Sequence, residues 1–220
     1  RYTAHPAVIP GDLPTEGWSQ VDLPHTWNAT DPVDAEPGYQ RGVGWYRKTL
    51  FVDRSAEPAR YLLYFEAANM KAEVFVNENH AGGHVGGYLG FTVDASQWLI
   101  AEADNEILVR VDNGVDRELI PSQKADFVLY GGITRDVFLQ VRPETHIAGL
   151  RIDTPAVSAE TAKVSVTATL AGLDALAGGA TLRFTVIAPD GSALPGREEP
   201  VTANNGSTYT ASLPAVGSPR

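Results

Sequence analysis

Asp126-Phe-Val-Leu-Tyr-Gly-Gly-Ile-Thr-Arg135-Asp136-Val-Phe-Leu-Gln-Val141 joins a lone carboxylate, a Gly-Gly turn and an adjacent Arg-Asp pair to a short apolar strand. Strand signals also dominate the chain upstream of it. Trp45 to Val52, Tyr61 to Glu66, Glu73 to Asn77 and Asn105 to Val111 are short, rich in β-branched and aromatic residues, and bounded by turn formers, and Asp136 to Val141 repeats the pattern. No helical period of comparable strength is present. In Tyr61-Leu-Leu-Tyr-Phe-Glu66 both alternating faces are apolar, which predicts a central strand covered on each side. The expected fold class is all-β, beginning with a two-sheet β-sandwich.

After Val141 the text changes character. Arg142-Pro-Glu-Thr-His-Ile marks an exit from the first strand set, so the expected domains are residues 1–142 and 143–220. In the second, Lys163-Val-Ser-Val-Thr-Ala-Thr-Leu170 alternates strictly. Val164, Val166, Ala168 and Leu170 are expected inward, Lys163, Ser165, Thr167 and Thr169 outward, and Leu182, Phe184 and Val186 repeat the period. Gly178-Gly179, Pro189-Asp-Gly191 and Asn204-Asn-Gly206 supply turn chemistry between strands. Short strands punctuated in this way point to an immunoglobulin-like β-sandwich. Its closing strand is not evident after Leu213, so this domain is expected to be incomplete at its C-terminus.

Composition removes several function classes. The 220 residues are 43% hydrophobic and 20% charged, as in a globular protein able to bury a core. No window approaches the roughly 18 consecutive apolar residues that cross a bilayer, and the start, Arg1-Tyr-Thr-Ala-His, lacks the order of a signal peptide. Membrane is therefore not an expected partner. Nor is nucleic acid, because the net charge is -10 and the 17 basic residues are scattered rather than gathered into a stripe. There is no cysteine, hence no disulfide framework and no thiolate metal site. That absence fits a periplasmic or secreted protein without establishing one.

Three motifs in order carry a resemblance. Leu23-Pro-His-Thr-Trp-Asn28 precedes Gly42-Val-Gly-Trp-Tyr-Arg-Lys-Thr-Leu50; Val74-Phe-Val-Asn-Glu-Asn-His80 precedes Gly86-Gly-Tyr-Leu-Gly-Phe91; and the Asp126 to Val141 stretch closes the set. Together they resemble the sugar-binding domain of glycoside hydrolase family 2, most closely the β-galactosidase type. The resemblance implies a jelly-roll (galactose-binding-like) domain, then an immunoglobulin-like domain leading into a (β/α) barrel of the same chain. It implies a retaining exo-glycosidase whose two catalytic glutamates lie on that barrel, beyond residue 220. The expected substrate is a β-galactoside or related β-glycoside, and an oligomer is compatible with the family. In the resembling family the aspartate at the position of Asp126 reaches the bound sugar, in some members together with a sodium ion; no other cofactor is implied.

The chemistry of these residues agrees. A carboxylate accepts hydrogen bonds from two vicinal hydroxyls at once, and its charge strengthens each bond. Asp126 has the alternative of merely capping a turn. The 28–41 loop, Asn-Ala-Thr-Asp-Pro-Val-Asp-Ala-Glu-Pro-Gly-Tyr-Gln-Arg, holds three carboxylates, a tyrosine and an arginine, and long loops on sandwich edges are where binding residues gather. In relatives this region borders the substrate pocket, which makes Asp31, Tyr39 and Arg41 further substrate-binding candidates; each has an ordinary solvated loop residue as its alternative. Arg135 and Asp136, on opposite faces of an extended strand, are expected to anchor strand ends or an interface.

No catalytic residue is expected within these residues. A retaining glycosidase needs two carboxyl groups about 5 Å apart, and Asn77-Glu78 and Asn105-Glu106 read as turn and strand-start residues. Histidines 5, 25, 80, 84 and 146 are too dispersed for a metal site, with His80 and His84 expected at the surface. Gly42-Val-Gly44 and the pairs Gly82-Gly83 and Gly86-Gly87 read as turns, since none stands between a strand and a helix start. Two rival functions share the fold: a free carbohydrate-binding module, which needs an exposed aromatic platform and a complete site of its own, and a β-sandwich scaffold or adhesion protein.

Overall fold

The computed structural model describes residues 1–4, 9–35, 38–53, 59–120, 127–176, 178–188, 190–194, 196–201 and 207–217, with residues 212 and 214–217 described by backbone alone. The chain is all-β and divides into two compact units, Arg1–Val141 and Arg142–Arg220. Among the described residues helix is limited to two single 3-10 turns, Pro10–Asp12 and Leu173–Ala175, and no helix is long and apolar enough to cross a membrane.

The first unit is a jelly-roll β-sandwich. Its strands are β1 (Tyr2–Ala4), β2 (Val43–Val52), β3 (Ala59–Phe65), β4 (Lys71–Val76), β5 (Asn79–Val85), β6 (Phe91–Asp94), β7 (Ala103–Asp112) and β8 (Val137–Pro143). One sheet runs β1-β2-β7-β4-β5 and the other β6-β3-β8. The ladder between β2 and β7 runs unbroken from Val43 opposite Asp112 to Val52 opposite Ala103. Because side chains alternate along a strand, Ile107, Val109 and Val111 of β7 share one face with Ala72, Val74 and Val76 of β4 and meet Leu63, Phe65, Phe91 and Val93 of the other sheet. The Phe65 and Phe91 rings stack 4.8 Å apart. On the opposite face Trp45, Phe75 and Leu108 are also buried, under Leu13 and Trp18 of the segment before β2. The five-stranded sheet is thus covered on both sides.

The three-stranded sheet is not. β3 is central, as Tyr61 to Glu66 predicts, but only Leu63 and Phe65 are buried; Tyr64 on its other face is half-buried and stacks on exposed Phe138. The second apolar face is therefore an aromatic surface and not a second core layer. Two of the glycine readings also change. Gly44 lies inside β2, with the Trp27 and Tyr2 rings against it, and Gly82 and Gly83 lie inside β5, where Gly83 is pressed against β4 and Gly82 against Val93. They are places of close approach, and Gly87 alone of that group sits in a turn. His80 and His84 are more than surface decoration: His80 pairs with Glu73 and His84 stacks on Phe91. Asn77-Glu78 is a two-residue hairpin turn, both residues having positive φ, whereas Asn105 is buried within β7, where its Oδ1 accepts from Asn77 Nδ2 at 2.8 Å.

The second unit is an immunoglobulin-like sandwich of β9 (His146–Val157), β10 (Thr161–Ala171), β11 (Ala180–Phe184), β12 (Arg197–Val201) and β13 (Thr208–Gly217), with sheets β13-β10-β9 and β11-β12. The alternation in β10 is the expected one. Val166 and Ala168 are buried with Phe184, Ala211 and Leu213, while Val164, Leu182 and Val186 pack at the margin. The β9 register sets Ile152 opposite Val166, Leu150 opposite Ala168 and Ile147 opposite Leu170, hence on the same inward face. There they remain 63%, 60% and 47% exposed. Gly191, at φ 84, closes a turn by donating to the Ala188 carbonyl at 2.8 Å; Pro189 of that turn and the Asn204-Asn-Gly206 turn lie outside the described residues.

Candidate functional site

One end of the first unit gathers all three sequence motifs. The Tyr130-Gly131-Gly132 stretch is not the turn that the sequence suggests: it runs without a turn or bend, bridged to Asn69 at Gly132. It is laced to the Leu23–Asn28 segment by backbone bonds from His25 N to Ile133 O (2.8 Å) and from Trp27 N to Gly131 O (3.3 Å), and to Asn69 N through Gly132 O (2.9 Å). Both glycines are required by this packing. A Cβ on Gly131 would stand 2.1 Å from the Trp27 ring, and Gly132, at φ 129, would set one 2.4 Å from His25 O. Around this stretch opens a cavity of about 370 Å³. Pro24, His25 and Thr26 line it from the first motif, Tyr88 from the second, and Tyr130, Thr134 and Arg135 from the third, with Asn69 beneath. Tyr88 and Tyr130 are half-exposed.

His25 and Tyr46 form the floor of this end. His25 Nδ1 lies 2.8 Å from Tyr46 Oη, which also accepts from Ile133 N at 3.3 Å. Burial holds the His25 imidazole below its ordinary value, with the Arg1 amino group adding to the effect, and burial raises the Tyr46 phenol far above its own.

Beside it, two fully buried asparagines join four stretches of chain. Asn28 Oδ1 accepts from Gly131 N (2.7 Å) and Asn113 Nδ2 (3.2 Å), while its Nδ2 donates to Asp31 Oδ2 (2.9 Å) and Gln40 O (2.8 Å). Asn113 Nδ2 also donates to Leu129 O at 2.8 Å, and its Oδ1 accepts from Gly42 N at 2.9 Å. The far end of the loop is held separately: Leu129 N donates to Tyr39 Oη at 3.1 Å, and the Arg41 guanidinium lies 4.7 Å from the centre of the Tyr39 ring and donates to the same hydroxyl. A buried amide that meets its full hydrogen-bonding capacity rigidifies what it touches, because each bond broken would leave a polar group without water.

The sequence candidates fall differently within this geometry. Asp126, with the sodium ion that the resemblance sets beside it, lies outside the described residues, as do Glu36 and Pro37 of the 28–41 loop. Tyr39 and Arg41 are brought together against Leu129, at the segment that follows Asp126. Asp31 faces the loop interior, its Oδ2 accepting from Asn28 and from Gln40 N (2.7 Å), and its Oδ1 is closed to solvent without a partner among the described residues. Arg135 and Asp136 lie ahead of β8, in a bend and not on opposite faces of a strand. Both are exposed, and neither side chain has a hydrogen bond or ion pair among the described residues. No group of three or more His, Asp or Glu among the described residues is placed to hold a metal ion.

Sequence reasoning missed Asn69 and Asn113, and gave Asn28 no role. Asn28 at least ends a motif; Asn113 follows a strand in Val111-Asp-Asn-Gly114, where it reads as one more turn residue.

Comparison with known proteins places these motifs. Residues 4–143 match the family model described as glycosyl hydrolases family 2, sugar binding domain. A putative beta-glucuronidase of Formosa agariphila is 47% identical over 157 residues, covering 71% of this chain and 19% of that protein. A beta-galactosidase of Thermoanaerobacter pseudethanolicus is 33% identical over 165 residues, covering 73% and 22%. The crystal structure of a Bacteroides uniformis beta-glucuronidase superposes with a TM-score of 0.86 at 28% identity, over 100% of this chain and 27% of that one. The chain thus spans about a fifth of the length of the curated relatives it matches.

Proposed function

The chain belongs to glycoside hydrolase family 2, and from that premise we propose that it is the amino-terminal, substrate-shaping part of a retaining exo-β-glycosidase acting on β-glucuronides. The observation that carries the sugar assignment is the 47% identity to a protein named as a putative beta-glucuronidase, against 33% to one named as a beta-galactosidase. This moves the preference away from the β-galactoside that the motifs alone suggest. A β-galactosidase is the second reading, and the 33% relative favours it.

In this proposal the chain contributes positioning, and bond cleavage belongs to a pair of glutamates on a barrel elsewhere in a longer polypeptide. Asp126 accepts hydrogen bonds from sugar hydroxyls, and Tyr39 and Arg41 border the same subsite from the loop fixed against Leu129. Binding groups of this kind lower the barrier when they hold the sugar in the reactive orientation.

The test is hydrolysis of nitrophenyl β-glucuronide, β-galactoside and β-mannoside by the 220-residue chain and by the longer polypeptide in parallel. The expected result is activity in the longer protein alone, with the glucuronide cleaved fastest. A faster galactoside would install the second reading, and activity in the short chain would place a catalytic pair within it.

A further inference from the structure

We propose that Asp31 is a positioning residue that fixes the 28–41 loop against the 127–131 segment, and that no oxygen of its carboxylate contacts the sugar; this rests on the glycosidase reading above. Charge and loop position make Asp31 look like a hydroxyl acceptor. Its geometry gives it other work. Oδ2 takes two hydrogen bonds, from Asn28 Nδ2 at 2.9 Å and from Gln40 N at 2.7 Å, the second reaching across nine positions of sequence. Oδ1 is sealed from solvent. Neither oxygen is left facing outward for a ligand.

What Asp31 holds leads to the site. The Asn28 amide it orients passes its own Oδ1 to Gly131 N and Asn113 Nδ2, and Asn113 reaches Leu129 O. Gln40, anchored through both its N–H and its carbonyl, stands between Tyr39 and Arg41. Losing the Asp31 acceptor frees the Gln40 N–H and one hydrogen of the Asn28 amide, so the stretch carrying Tyr39 and Arg41 loses its inner tether.

Accepting two hydrogen bonds requires an oxygen and not a negative charge, so Asp31→Asn keeps the acceptor, although its NH2 then takes the sealed place of Oδ1, where no partner stands among the described residues. Asp31→Ala abolishes the tether. The experiment compares both variants with wild type in the full-length enzyme, using the nitrophenyl β-glycoside that wild type cleaves fastest, and follows amide hydrogen exchange of residues 38–42 in the same proteins. Expected for Asp31→Ala is a fall in kcat/KM of about 10- to 100-fold with faster exchange across 38–42. Asp31→Asn should stay within about threefold of wild type on both readouts. An equal loss of rate in the two variants with exchange across 38–42 in Asp31→Asn like that of wild type would mean that the charge itself is used, and would overturn the proposal; so would an Asp31→Ala enzyme with unchanged rate and exchange. If Asp31→Ala does not fold, Asp31→Asn decides alone, a loss of about tenfold or more with unchanged exchange across 38–42 counting against the proposal. A wild-type protein that cleaves no glycoside would defeat the glycosidase reading instead, and exchange in the two variants would still decide whether Asp31 is the tether.

Discussion

The two sandwiches close their interiors to different degrees. In the first unit the five-stranded sheet is buried on both faces, and even polar groups at its two ends, Asn28 and Asn113 at one and Asn105 at the other, are sealed and bonded. In the second, among the described residues, five buried residues form one cluster, Leu170 and Val201 are buried as well, and the inward row of β9, Ile147, Leu150 and Ile152, stands open. Among the described residues the facing sheet has two strands against three, and the inward row of β9 is left exposed. The contrast teaches that an alternating strand pattern reports which way a side chain points and not whether anything lies over it.

The largest effect expected from this contrast is at Phe65. The residue is 1% exposed and stacked on Phe91 in a packed layer. Phe65→Ala should destabilise the first unit by about 3–5 kcal/mol, because the surrounding strands cannot collapse into the space. Phe184 is the corresponding aromatic of the second unit, but its neighbours Leu182 and Val186 lie at the margin. Phe184→Ala should cost about 3 kcal/mol, at the lower end of the range for such truncations. Chemical denaturation of the two variants, followed by fluorescence for the Trp-bearing first unit and by circular dichroism for both, measures the difference. Equal losses would show that the second core is as closed as the first.

Smaller still is the double change Leu150→Ser with Ile152→Ser. Both residues are more exposed than buried, so in this chain it should alter stability by no more than about 1 kcal/mol, as surface substitutions do. A loss of several kcal/mol would show that the β9 face is covered in solution. The same double change in the full-length protein sharpens the test, since a larger loss there would locate the cover in the remainder of the polypeptide.

Much of this architecture was legible because strands advertise themselves by period. Lys163 to Leu170 yields its buried face by inspection, and the Asp126 to Val141 motif points to the sandwich before any coordinate is known, although the turn it suggests at Gly131-Gly132 is instead a stretch bridged to Asn69. The site was less legible. A charged loop residue and a structural tether have the same letter, and only the direction of the Asp31 carboxylate separates them. Asn113 carries no signal at all, because its importance lies in meeting Asn28 across 85 positions of sequence. Gly131 reads in the sequence as a turn residue, which it is not, and the reason it must lack a side chain is the Trp27 ring lying against it, again a long-range fact.

The smallest effect concerns pH and tests the sealing of the first unit at its most polar point. Burial, followed by the Arg1 amino group, lowers the His25 imidazole from its ordinary value of 6.5 in the folded state. Below pH 6.5 the unfolded chain therefore takes up a proton that the folded chain resists, and stability falls as pH drops through that value until the folded imidazole is protonated as well. Because His25 is only partly buried and solvent screens its charge, the expected fall in melting temperature between pH 7.5 and 5.5 attributable to this residue is about a degree or two. His25→Gln keeps a polar side chain near Tyr46 and cannot titrate, so the difference between the two pH profiles isolates the histidine. Parallel profiles would mean that the imidazole is as well solvated in the fold as outside it, and that the His25 and Tyr46 floor is open to water where the asparagine clamp beside it is closed.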